Sequence, residues 1–150
     1  LEAAAAAKVR VERLDLERNQ LGASAAQYLA RWCEEQAGGP PRELLLSHNR
    51  LGDAGVCCVL VALGRCSAIQ PRARGPGRPP AAPLWVEARE TGVRHTESIL
   101  DALSSRVPIC LALDRDVCGP TRCVACEAAA GGQAEAPRLH LSGIMEQSLN

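Results

Sequence analysis

A repeat restricts this chain more than any other feature. Leu14-Asp15-Leu16-Glu17-Arg18-Asn19-Gln20-Leu21-Gly22 is followed thirty residues later by Leu44-Leu45-Leu46-Ser47-His48-Asn49-Arg50-Leu51-Gly52. Both read L-x-L-x-x-N-x-L-G. A tail of helical period follows each copy: Ala25, Ala26, Leu29 and Cys33 after the first, Gly55, Val56, Val59 and Leu63 after the second. Agreement at fixed positions together with a matching tail marks an internal repeat, and a period of this length signals stacked units.

The motif has a physical reading. L-x-L sets two side chains on one face of a short strand. The asparagine follows where the chain turns sharply away, and its carboxamide can satisfy backbone groups the turn leaves unpaired. The next leucine points back inward, and an amphipathic helix packs behind the strand. One unit cannot bury its own apolar face, whereas stacked units bury it jointly. Leu14, Leu16, Asn19, Leu21, Leu44, Leu46, Asn49 and Leu51 are therefore the expected structural motif, with Asn19 and Asn49 seated equivalently in neighbouring coils.

The segment Leu14 to Leu63, and "LLLSHNRLGDAGV" above all, resembles leucine-rich repeats of the ribonuclease-inhibitor type. The resemblance implies an α/β fold: a short solenoid with parallel strands on the concave face and helices on the convex face. A degraded third unit runs from Val86 to Val93, with Thr91 in the asparagine place. A helix should follow from a Thr96 cap, with Ile99, Leu100 and Leu103 inward. A fourth strand is expected over Leu111 to Cys118, and Leu1 to Lys8 reads as a helix tail from an earlier unit. The expected organisation is leucine-rich repeats over 1–118, about four units with a Pro/Arg-rich insertion at 70–83. A Cys-containing, partly disordered tail covers 119–150, loosest at Ala128 to Ala136.

Composition limits the function classes. The 17 basic and 17 acidic residues cancel, which argues against non-specific nucleic-acid binding over the whole surface. Aromatics are 2% of the chain, with no Phe, too few for a platform on which single-stranded bases stack. The core must come from Leu, Val, Ile, Ala and Cys. No run of 18 apolar residues exists, so no membrane helix is expected, and the start carries no signal peptide. Leu1 is not an initiator, so a fragment of a longer protein is expected. Of the eight cysteines, Cys33, Cys57, Cys58 and Cys66 fall at helical, largely apolar positions. They favour a reducing, intracellular setting, cytoplasmic or nuclear, over secretion with disulfides.

Two regions can carry binding chemistry. On the strands, the x residues face the concave side: Arg13, Asp15 and Glu17; Glu43, Leu45 and Ser47; Trp85, Glu87 and Arg89; Cys110, Ala112 and Asp114. They form a mildly acidic strip with Trp85 as aromatic anchor, suited to a basic protein partner. Arg13, Asp15, Glu17, Glu43, Ser47, Trp85, Glu87 and Arg89 are the candidate partner-binding residues; a merely solvated face is the plain alternative, and Trp85 can equally pack under the insertion. The second region is Cys118-x4-Cys123-x2-Cys126 with His140 beyond. Cys-x2-Cys is half of a common zinc site, so Cys118, Cys123, Cys126 and His140 are candidate metal ligands. A disulfide and plain reduced thiols remain open alternatives. Cys110 and Cys118, eight residues apart on the expected fourth strand, should be far from one another.

Catalysis finds little support. There are three histidines, His48, His95 and His140, none with an expected Ser or Cys partner. Phosphate-loop, nucleophile-elbow, zinc-protease and dinucleotide motifs do not occur. The expected function is a protein-interaction scaffold with no enzyme activity, no cofactor and no membrane contact. A secondary expectation comes from "PLWVE", "CGPTRC" and "RLHL", which are faintly similar to leucine-rich regions ahead of PIN-type nuclease domains in unicellular algae. That likeness implies a regulatory segment of an RNA-processing protein, with zinc at the C-terminal Cys cluster as a stabilising option. Nucleic-acid contact would then run through Arg72, Arg74 and Arg78 of the insertion.

Overall fold

The computed structural model describes residues 11–35, 39–66, 83–104, 107–112, 118–121, 123–125 and 139–144. Their elements run β1 (Arg13–Asp15), α1 (Ala23–Glu35), β2 (Glu43–Leu45), α2 (Gly52–Arg65), β3 (Leu84–Glu87), α3 (Thr96–Ser104), β4 (Ile109–Ala112) and β5 (Leu139–Ser142). The five strands form one parallel sheet in the order β1-β2-β3-β5-β4. Parallel strands need a crossover between neighbours, and the helices supply it for the first three.

Strand pairing sorts side chains into rows. Leu14, Leu44, Val86, Leu141 and Leu111 are register partners across the sheet and belong to its helix side. There Leu44, Leu46, Leu84, Val86, Leu139 and Leu141 join one apolar core with the helices. Each helix offers a stripe of period 3.6 to that core. In α1 the stripe is Ala26, Leu29, Ala30 and Cys33, in α2 it is Val56, Val59, Leu60 and Leu63, and in α3 it is Ile99 and Leu103. Leu111 is 42% exposed because β4 is the terminal strand on its side.

The first three units repeat in backbone as well as in sequence. Arg18, His48 and Glu90, each one residue before Asn19, Asn49 and Thr91, all have left-handed φ values near +50° to +60° (56°, 58° and 48°). This is a costly conformation for side-chain-bearing residues, and its recurrence shows that the three turns are the same turn. Thr91 does stand in the asparagine place: its Oγ1 donates to Ala88 O at 3.2 Å, as Asn49 Nδ2 donates to Leu46 O at 2.8 Å, each three residues back.

Asn19 and Asn49 are not seated alike, contrary to the sequence expectation. Asn49 is buried at 4% exposure, while Asn19 is exposed. Asn49 Oδ1 accepts the N–H groups of Asn19 (3.1 Å) and Leu21 (2.9 Å), and Nδ2 donates to Leu16 O at 2.8 Å. Every one of these partners lies in the preceding unit. Asn19 Nδ2 donates instead to Glu17 O at 2.9 Å, within its own turn. Residues 1–10, which precede its unit, lie outside the described residues.

The last two strands depart from a simple stack. The fourth strand is Ile109–Ala112, shifted from the expected Leu111 to Cys118, and β5 inserts between it and β3. The register pairs Ile109 with Leu139 and Leu111 with Leu141. Several expectations lie outside the described residues: the helix tail at 1–8, the insertion at 70–82 with Arg72, Arg74 and Arg78, residues 113–117 including Asp114, Cys126, and the stretch at 128–136. Among the described residues, no helix is long and apolar enough to cross a membrane.

Candidate functional site

The sheet face away from the helices carries a second row of register partners: Arg13, Glu43, Trp85, His140 and Cys110, one from each strand. The row runs from charged, through aromatic, to metal-ligand chemistry. Its two halves differ in accessibility.

At the β1–β2 end the row is open. The side chains of Arg13 and Asp15 are 59% and 52% exposed and lie 3.5 Å apart, and Arg13 also approaches Glu43 at 3.9 Å. Glu17 is half-buried. Glu87 pairs with Arg89 at 3.6 Å, with Glu87 mostly covered. The exposed Arg13–Asp15 pair contributes roughly 0–1 kcal/mol, so a partner can replace it at little cost; Glu43, like Glu87, is mostly covered. Three expected members of the strip, Leu45, Ser47 and Trp85, are not presented to solvent. Ser47 is 2% exposed, and its Oγ accepts the N–H of Arg89 at 3.2 Å, joining units two and three. Trp85 is fully buried.

Trp85 is covered by the segment that follows β4. Leu45, Trp85, Cys118 and Cys123 form a second apolar cluster, with Cys110 and Ala125 packed against it. The Trp85 indole also stacks on the His140 imidazole, with centroids 4.6 Å apart and planes 20° apart. Trp85 is thus a core residue of this face and not an exposed anchor.

Beside that stack the structure gathers Cys110, Cys118, Cys123 and His140, their ligand atoms all within 4.8 Å of one another. Cys110 and His140 are paired across β4 and β5, while Cys118 and Cys123 return from the connection between those strands. Cys110 and Cys118 therefore meet, although the sequence placed them far apart on one extended strand. Cys110 completes the quartet in the place the sequence gave to Cys126, which lies outside the described residues. Cys118, Cys123 and His140 are buried and Cys110 is half-buried. Burial pushes the Cys110 thiol up to about 12, with Cys123 and Cys118 adding to the rise, and holds His140 down to about 4. Neither His140 nitrogen has a hydrogen-bond partner among the described residues. The N–H of Val124 donates to Cys118 Sγ at 3.4 Å.

The other described thiols carry no such constellation. Cys33 is buried in α1 and its thiol is pushed up to about 12 by burial; Cys66 is raised for the same reason. Thiols so shifted are poor nucleophiles at neutral pH. Of the remaining histidines, His48 Nδ1 meets Glu90 Oε2 at 3.0 Å and His95 Nδ1 meets Asp53 Oδ2 at 2.8 Å. Both contacts join neighbouring units.

No family model, curated protein or solved structure matches this chain. The reading of the site therefore rests on its own geometry.

Proposed function

We propose that the chain is a protein-interaction module, a short array of leucine-rich-repeat-like units that engages a partner through the β1–β2 end of its helix-free, concave face. The observation that carries this reading is the row Arg13–Glu43–Trp85–His140–Cys110, open at its Arg13 end and covered from Trp85 onward. Parallel strands in register offer a partner side chains at fixed spacing, which is how curved repeat arrays bind. Strand and turn positions there supply the carboxylates Asp15, Glu17 and Glu43 against the guanidinium of Arg13, bordered by Glu87 and Arg89 of the third unit. The excess is acidic and fits a basic segment of a partner. With Trp85 buried, affinity draws on charge and strand-face shape and not on an aromatic anchor.

The test is a peptide-display selection against the full chain. Binders should be rich in Arg and Lys and lose affinity at least tenfold on a Glu17→Ala/Glu43→Ala/Glu87→Ala variant whose circular dichroism is unchanged. Binders that hold that variant as tightly as the parent chain reject this face as the interaction surface.

A further inference from the structure

We infer that Cys110, Cys118, Cys123 and His140 form a closed structural zinc site that clasps the β4–β5 connection onto the sheet. Three independent observations carry it. The first is composition and geometry: three thiols and one imidazole converge with their ligand atoms within 4.8 Å of one another. Zinc prefers this donor set in tetrahedral array, and Zn–S bonds of about 2.3 Å set ligand atoms about 3.8 Å apart. The quartet thus closes on a cation by side-chain movements of about 1 Å or less.

The second observation is His140 itself. Its side chain is fully buried, and both ring nitrogens lack a protein partner among the described residues. A buried polar group left unpaired costs roughly 1–3 kcal/mol, and a cation bound at one nitrogen removes that cost for that nitrogen. Trp85 stacked on the ring fixes its plane.

The third is the backbone N–H of Val124 aimed at Cys118 Sγ. A thiol is a weak acceptor, but a thiolate on a metal is a strong one, and charge-assisted bonds of this kind stabilise it. No disulfide joins the seven described cysteines, so the three thiols are placed to act as donors. Because the protein supplies four donors, no coordination position is left for water or substrate, and the site is structural and not catalytic.

Topology explains what a metal does here. β4 and β5 are adjacent, yet residues 113–138 separate them in sequence. Closing so long a connection carries an entropic cost. A cation held by one residue from each strand and two from the connection ties all three together, and it pins residues 118–125 over Trp85. Its binding free energy becomes folding free energy for this end of the sheet.

The full chain, grown with added zinc and purified under reducing conditions, should retain about one zinc per chain. Cobalt(II) added to chelator-stripped chain should give the intense visible bands of tetrahedral coordination and a thiolate-to-cobalt charge-transfer band. Cys110→Ser, Cys118→Ser and Cys123→Ser should each lower retained zinc at least tenfold, whereas Cys58→Ser leaves it unchanged. The cobalt spectrum of the parent chain does not depend on whether those variants fold. Absence of metal, a pale octahedral cobalt spectrum, or a disulfide within the cluster in rapidly alkylated cells overturns the assignment. Full zinc in Cys110→Ser together with loss in Cys126→Ser overturns the place of Cys110.

Discussion

The side-chain oxygen of Asn49 accepts the backbone N–H of Asn19, the residue thirty positions earlier that fills the same place in its own turn, at 3.1 Å. The relation is not reciprocal. Asn19 turns its carboxamide to Glu17 O within its own loop. Two identical residues at identical motif positions thus have unequal energetic weight. Asn49→Ala strands the N–H of Leu21 and the carbonyls of Leu16 and Leu46 in a partly or fully buried setting. Leaving several such groups unpaired should cost about 2–4 kcal/mol. Asn19→Ala, at an exposed position, should cost about 1 kcal/mol or less. Urea denaturation of both variants checks the ratio, and equal losses would contradict the one-way ladder.

Asp53, in the first turn of α2, accepts the N–H groups of Arg94 (2.7 Å) and His95 (3.0 Å) and the His95 imidazole (2.8 Å). These bonds, the His95 N–H first, hold its carboxyl well below the usual 3.8, at about 2. A carboxyl depressed on folding contributes stability that is complete above its unfolded pKa and is lost as pH falls through the folded value. The urea midpoint of the native chain should therefore exceed that of Asp53→Asn by a constant amount above about pH 5. The gap should narrow between about pH 4 and pH 2. A gap that stays constant down to pH 2 would assign the loss to something other than ionisation.

Both tryptophans are buried, Trp85 fully and Trp32 at 7% exposure. Trp32→Phe should leave a single emitter, Trp85, with blue-shifted fluorescence and weak quenching by acrylamide. Emission near that of free tryptophan would return Trp85 to the surface and revive it as a binding anchor.

Gly64 near the end of α2 faces Val107, and a methyl group added there would overlap Val107 Cγ2. Val107 is itself buried in the core and β-branched, so it has little room to turn away. Gly64→Ala should destabilise by about 1–3 kcal/mol despite its better helix propensity, read as a lower melting temperature. The double variant Gly64→Ala/Val107→Ala should recover part of the loss.

What the sequence displayed depended on the range of each interaction. The repeat from Leu14 to Leu63 and the weaker unit at Val86–Val93 were legible because each strand, turn and helix is encoded within its own thirty or so residues. The ends of the first three strands fell within about two residues of the structure, the usual spread for such boundaries, whereas the fourth, expected over Leu111 to Cys118, ends at Ala112. The parity of Leu45, Ser47 and Trp85 was also legible: they do lie on the side away from the helices. Their burial was not, because what covers Trp85 is a segment more than thirty residues downstream. β5 was missed for a similar reason. Leu139-His140-Leu141 carries the L-x-L alternation, but no asparagine or apolar helix follows to complete the unit. The quartet at Cys110 needed both facts at once, the β5 register and the return of Cys118. Local Cys-x2-Cys spacing instead drew attention to Cys126.

The direction of the Asn49 ladder bears on how such an array can change length. The Asn49 carboxamide of the second unit docks into the first, so the N-terminal flank of the second unit carries a plug and the C-terminal flank of the first a socket. A deletion of one or two residues between Asn19 and Asn49 breaks that mating geometry, so length variation here should come in steps of one complete strand-turn-helix unit.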